Sequence, residues 1–428
     1  MIRSSSCNFD KGFKISKPEI TVHRSGAKII MRKINTVPLI SIRIIVPGGT
    51  IFENDKNQGI SNLVSRTLMF DSKRFSFNQI AAIIDSTASN FNAFSGRNSM
   101  GVSIEVMKPF AKKMLDVARD VILYPQFNEQ YFDVEKKVIE DEIKSEEDNL
   151  ARYANTLLLK TIYQKHPYRL DPQGTVKSVR SLTRKGVRSF YYLMLDPSKM
   201  IFSVAGDFDK KHILKWVDSV VSEMRTQNKK HLNVPNEPVQ KSPRVSTFKK
   251  DSKQAHIFLA YRTCDIKSPD RYPLKVLSSA LSGQSGRLFI NLRDKQSLAY
   301  TVSPVDMYGS APGYFGVYIA SETSKTKKAI EEIRKELNRV RTGHVDKDEL
   351  ERAKNFIIGR HAIGMQAYSE QTANMGFDEF YGLGFSSAFN YSDKIMKVSA
   401  EDIIKVAKKY FRDSGENVVI VSNDPKVL

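Results

Sequence analysis

Asn62, Ser65 and Arg66 stand at i, i+3 and i+4 in the amphipathic stretch "GISNLVSRTLMF" (59–70), so a helix there gathers them on one side. Ile60, Leu63, Val64, Thr67 and Leu68 recur at helical spacing and face a core. Two histidines and a carboxylate at this spacing build a metal site; here the residues are an amide, a hydroxyl and a guanidinium. A second segment, "YFDVEKKVIEDEIKSEEDNL" (131–150), is dense in acid. Val134, Val138, Ile139 and Ile143 define an apolar arc on its helix, and Glu135 and Glu142 project from within it. A carboxylate on a buried face is costly without a partner. Glu140, Asp141, Glu146 and Glu147 need no such account and form a solvated face. These residues alone leave two readings of the first helix: a site stripped of its metal, or a helix that never had one.

The elements that position these residues come in two similar sets. "VPLISIRIIVPGG" (37–49) is an apolar strand followed by the helix at 59–70, and "QAHIFLAYRT" (254–263) is a strand followed by the helix "YPLKVLSSALSG" (272–283). The ends of the two sets correspond as well. "VRSLTRKGVRSFYYLMLDPSKMIFSVAGD" runs helix, turn, strand to Asp207, and "VSAEDIIKVAKKYFRDSGENVVIVSND" does the same to Asp424. Both pairs are offset by about 217 residues, the mark of an internal repeat. Between them "TQNKKHLNVPNEPVQKSPR" (226–244) is polar, proline-bearing and aperiodic, and reads as a linker. The expected architecture is α+β: two homologous domains, 1–235 and 236–428, each with helices packed on a mainly antiparallel sheet. "SNFNAFSGRNSMGVSIEV" is a hairpin of the first.

Composition narrows the partners. Among 428 residues 27% are charged, with a formal charge of +20, which points to an acidic partner, an acidic substrate or an anionic surface, or to lysines that simply solvate a large exterior. There is no zinc knuckle, RNA-binding fingerprint or basic helix interleaved with aromatics, so nucleic acid is not expected. No apolar run approaches the length of a membrane span. The opening "MIRSSSCNFDKGFKISKPEI" has no apolar h-region and is a poor secretory signal. Cys7 and Cys264 offer neither a metal knuckle nor a disulfide framework. His23, His166, His212, His231, His256, His344 and His361 show no pair at ligand spacing.

The chain resembles the pitrilysin/insulinase family of zinc metallopeptidases. That family carries an inverted H-x-x-E-H motif on a helix and a further glutamate ligand roughly 76 residues on. On this pattern Asn62 and Arg66 stand where the two histidines belong, Ser65 where the general-base glutamate belongs, and Glu142 at the third ligand position. Glu135 takes the accompanying glutamate seven residues earlier. The likeness continues through "SNFNAF", "HPYRLDPQGT", "MIFSVAGDFD" and "GQSGRLFINLRDKQSLAYTV". The departures decide the chemistry: Asn and Ser are poor zinc ligands, a permanent cation at Arg66 repels the metal, and no base remains. By this resemblance the helix is a catalytic helix stripped of metal and base, and the fold is half of a clamshell.

The resemblance also implies what is kept. "NLRDKQSLAY" retains the family's arginine–tyrosine pair, Arg293 and Tyr300, whose implied role is to hold substrate carbonyls and stabilise a tetrahedral oxyanion, in trans to a partner's site. Without the family pattern the same two residues read as a surface arginine and a core tyrosine. In "FNAF", Asn92 and Ala93 are implied to lie on an edge strand that pairs with an extended substrate backbone. The expected function is that of a non-catalytic subunit of a two-chain peptidase, resembling that of a two-subunit bacterial enzyme. This chain binds no cofactor; zinc sits in a homologous catalytic partner with an intact motif, and peptides are the substrates. The alternative is a peptide-binding or scaffold protein without a catalytic partner. The compartment stays open between the bacterial periplasm, reached by a leader since removed, and the cytoplasm.

Overall fold

The computed structural model describes residues 17–224, 234–343 and 345–424. Cys7, His231, His344, most of the N-terminal stretch and the first part of the linker named above lie outside them. The first half runs β1 (Glu19–Val22), β2 (Lys28–Lys33), β3 (Leu39–Pro47), α1 (Ile60–Thr67), α2 (Phe77–Ser86), β4 (Asn90–Ser95), β5 (Ser99–Met107), α3 (Ala111–Leu123), α4 (Glu129–Glu146), α5 (Leu150–Ile162), α6 (Val176–Ser181), α7 (Arg184–Met194), β6 (Ile201–Gly206) and α8 (Lys210–Val221). The second runs β7 (Arg244–Lys249), β8 (Gln254–Arg262), α9 (Arg271–Leu281), β9 (Thr301–Met307), β10 (Tyr314–Glu322), α10 (Thr326–Arg341), α11 (Lys347–Gly364), α12 (Tyr368–Phe380), α13 (Tyr391–Met396), α14 (Ala400–Tyr410) and β11 (Glu416–Ser422).

The strands form one sheet in the order β1-β2-β6-β3-β5-β4 and another in the order β7-β11-β8-β10-β9. Without β1 the two orders are the same, each with one parallel pair, β2/β6 and β11/β7, in an otherwise antiparallel sheet. The α+β architecture of two similar, mainly antiparallel halves is therefore what the duplicated pattern predicts. Side-chain alternation assigns the faces. Along β11, Val418 and Ile420 enter the core beneath the second half's own helices, while Val419 and Val421 point to the opposite face.

Those opposite faces are covered by exchange. α5, from the first half, lays Ala154, Leu158 and Ile162 on Phe258, Ala260 and Val419 of the second sheet. α12, from the second half, lays Tyr368 and Met375 on Ile30, Ile45 and Ile201 of the first. Polar bonds fix the second seat: Arg32 donates to Gln371 at 2.7 Å, and Ser41 and Thr372 share a 3.2 Å hydroxyl contact. With both faces covered, β6 is buried along its whole length, which fits its largely apolar run, broken only at Ser203. No helix among the described residues is long and apolar enough to cross a membrane.

Candidate degenerate metal site

α1 is held at its N-terminus by a buried carboxylate. Glu53 accepts the N–H groups of Gly59 at 2.8 Å and Ser61 at 3.0 Å, satisfying donors that a helix start leaves open. Burial pushes the Glu53 carboxyl up, and these bonds, with a Ser61 hydrogen bond, pull it back. Gly59 turns the chain with φ 90°, and a Cβ there meets the Gln173 carbonyl at 2.6 Å. Leu63 and Val64 are fully buried. With the helix thus fixed, Arg66 reaches α4 while Ser65 turns to β4.

Arg66 occupies the centre of the group. One guanidinium nitrogen bonds the Glu142 carboxylate, and the other lies 3.6 Å from Glu135. All three side chains are partly exposed. Burial raises the Glu135 carboxyl above its usual range, Arg66 lowers it, and the neighbouring Glu142 charge raises it. Ser65 donates its hydroxyl to the Asn62 carbonyl at 2.8 Å and reaches Ser95 on β4 at 3.3 Å. The Asn62 amide nitrogen is buried without a partner.

These donors do not fit zinc. An amide oxygen such as that of Asn62 is a poor zinc ligand, a guanidinium cannot ligate a cation, and the Ser65 hydroxyl is already engaged with the backbone. The two glutamates that would face a metal face a fixed positive charge instead. Among the described residues no group of three His, Cys, Asp or Glu side chains is placed to hold a metal.

Two expectations about α4 need correction. Val134 and Val138 are 54% and 38% exposed, so the apolar arc is buried only at Ile139 and partly at Ile143. Glu140, expected in solvent, is buried and paired with Arg180 of α6 at 2.9 Å. The helix is rotated so that its Glu135–Glu142 side meets α1 and its Glu140 side meets α6.

Arg293 and Tyr300 are brought together at the other end of the chain. Arg293 lies in a wide helical turn, Phe289–Asp294, its guanidinium carbon 4.6 Å from the Phe289 ring centre and 5.7 Å from that of Tyr300. The loop between them is pinned by bonds from Ser297 N–H to the Arg293 carbonyl at 3.0 Å and from Leu298 N–H to the Leu292 carbonyl at 2.8 Å. Tyr300 is 73% exposed and so is not a core residue. Neither side chain has a hydrogen bond or ion pair among the described residues, and none links the pair to Arg66 or Glu142.

Asn92 and Ala93 lie on β4, at the edge of the six-stranded sheet. Gly96 N–H bonds the Ser99 carbonyl, which sets the alternation of the β4–β5 ladder. Asn92 then bonds toward Ser103, while the backbone groups of Ala93 point to the open edge. Ser95, the neighbour of Ser65, and Glu53, the cap of α1, were not legible as site residues because both act through tertiary contacts. The described histidines are held by other contacts: His23 pairs with Asp218 at 3.0 Å, and His166 accepts the Tyr168 N–H at 3.1 Å and is lowered by burial to about 4.

Residues 28–175 match the family described as insulinase (peptidase family M16), and residues 181–357 match the peptidase M16 inactive domain. An uncharacterized zinc protease of Rickettsia bellii is 23% identical over 403 residues, spanning 94% of this chain and 97% of its own. The uncharacterized zinc protease YmxG of Bacillus subtilis is 23% identical over 394 residues, 91% and 95% of the two chains. Among solved structures, a protease from Helicobacter pylori superposes with a TM-score of 0.86 at 20% identity, covering 95% of this chain and all (100%) of the other. A peptidase M16 inactive domain from Pseudomonas fluorescens gives 0.87 at 17% identity, with 95% and 98% covered. At such identities the structural likeness speaks for the fold.

Proposed function

The chain belongs to the insulinase, or M16, peptidase family, and from that premise we propose that it is a non-catalytic member that lends substrate-binding and oxyanion-stabilising groups to a homologous catalytic chain. The observation that carries this reading is Arg66, whose guanidinium stands between Glu135 and Glu142 where the family holds its metal. A cation built into the helix keeps α1 and α4 together where a metal ligand would stand, and Ser65 occupies the position of the base. Hydrolysis is then the work of the partner, which carries the zinc and the intact motif.

Arg293 and Tyr300 supply the complementary half. Both are solvent-facing, with the Arg293 guanidinium over the Tyr300 ring, and among the described residues neither side chain has a hydrogen-bond partner, so their donors can meet a substrate. A guanidinium fork and a phenolic O–H directed at one carbonyl oxygen stabilise the negative charge that develops there. Asn92 and Ala93 offer the extended backbone of a peptide an edge to pair with. Zinc is no cofactor of this chain under this reading, and its partners are the catalytic homologue and peptide substrates.

The open edge of β4 favours a second reading, a peptide-binding scaffold with no catalytic partner. Expression alone and together with a homologous chain bearing an intact H-x-x-E-H helix separates the two. The first reading requires a stable mixed complex that cleaves peptides when neither chain alone does; the absence of any such complex leaves the scaffold.

A further inference from the structure

A cavity of about 770 Å³ opens in the second half, where α12 leaves the layer of α9, α11 and α13 to cross onto the first sheet. Its volume is that of a small-molecule site at a domain seam. One wall is basic, with Arg271 and Lys275 from α9 and Arg360 from α11. The facing wall is acidic, with Glu370 and Asp378 two turns apart on α12. Between them lie the apolar surfaces of Tyr272, Phe356 and Ile357.

Part of this polarity is satisfied internally and part is not. Lys275 is held 3.2 Å from Asp306, and Arg271 donates to the Ile266 carbonyl at 2.5 Å and the Tyr272 hydroxyl at 2.6 Å. Arg360 has no hydrogen bond or ion pair among the described residues. Glu370 has none either, although Arg43 acts on it through space. Asp378 feels Arg271 and Lys394 without an ion pair to either, rests against the Ala388 backbone, and is pushed up to about 6 by burial. The Tyr308 ring lines the cavity, and its hydroxyl is buried behind that wall without a partner among the described residues.

We propose that this cavity binds a short zwitterionic peptide, of two or three residues with an apolar side chain. Its carboxylate lies on Arg360 and its ammonium on Glu370, with Asp378 about two turns farther along the same wall. A simple anion satisfies only the α11 wall and a simple cation only the α12 wall; a molecule charged oppositely at its two ends satisfies both. The Phe356 side chain, 61% exposed and lining the opening, gives the apolar side chain a surface to cover. This proposal concerns a site apart from the Arg66 and Arg293 groups and does not rest on the function inferred from them.

The full chain is titrated calorimetrically with leucyl-leucine, with its N-acetyl form and with its C-terminal amide. One saturable site for the free dipeptide is expected, with affinity falling at least about tenfold when either end is blocked. Arg360→Ala weakens the free dipeptide and leaves the amide unchanged. Gly364→Phe places a ring where a Cβ meets nothing within 4 Å, and abolishes binding with the melting temperature preserved. No saturation, sensitivity to only one blocked end, or full binding by folded Gly364→Phe overturns the proposal. Should Gly364→Phe fail to fold, Glu370→Gln decides: it must weaken the free dipeptide and spare the acetylated one.

Discussion

Arg66 on α1 bonds Glu142 on α4, so one fixed charge ties the two helices that in the family's active members are tied by a metal. Removing it leaves Glu135 and Glu142 as unscreened like charges. Arg66→Ala is expected to cost about 1–2 kcal/mol, between the value of an exposed pair and a buried one. The sign of its pH dependence is fixed. Glu135 is already raised in the folded state, so the stability it contributes is full below the ordinary carboxylate range and lost as pH rises through the raised value. Without Arg66 that loss steepens. Urea midpoints at several pH values across the acidic range test this; a cost independent of pH excludes the coupling.

Zinc binding should be recoverable by restoring the ligands. Wild-type chain is expected to carry far less than one zinc, and Asn62→His with Ser65→Glu and Arg66→His about one, as Glu142 is already in place. Elemental analysis after dialysis reads the stoichiometry. Full occupancy in the wild type refutes the account of Arg66.

Loss of the Arg293 and Tyr300 donors should slow a reconstituted complex without dissociating it. Tyr300→Phe removes one hydroxyl from an exposed ring, and a single oxyanion donor is worth about 10²–10³ in kcat. Arg293→Ala should raise KM as well. Sedimentation verifies assembly, and mutant complexes that cleave at the wild-type rate make the pair structural.

Asp378→Asn should stabilise the chain at neutral pH. Its folded value, about 6, lies above its ordinary one, so ionisation works against folding as pH rises through that window. A gain of up to about 3 kcal/mol at pH 8 that is lost below about pH 4 is expected. Thermal melts of the two proteins across that range read it, and an equal gain at both ends shows a packing effect.

The exchanged helices should make the halves melt together. Leu158 and Met375 are fully buried, each on the other half's sheet, and truncation to alanine at such sites costs about 2–5 kcal/mol. In calorimetry either variant is expected to lower one common transition. Two separate transitions, only one of them displaced, contradict this.

Local pattern made much of this legible. β3 and β8 begin and end within about two residues of the apolar runs that announced them, because a strand covered on both faces reads as a short, mostly apolar segment. Glu142 was legible as a residue in need of a partner, and the resemblance located that partner's helix. Periodicity shows that a helix has an apolar face, but not whose sheet receives it, and so α5 and α12 could not be assigned. Likewise the exposure of Val134 and the burial of Glu140 depend on α6, a neighbour set by tertiary packing. Edge position, by contrast, followed for Asn92 and Ala93 only through the resemblance, since a strand's own residues do not say which side is left unpaired.

The seat of α12 on the first sheet has a consequence for synthesis. Ile30, Ile45 and Ile201 emerge from the ribosome long before Tyr368 and Met375, so the first half leaves the tunnel with one face of its sheet bare. That opening sheet therefore waits, wetted or chaperoned, for nearly the whole message to be read.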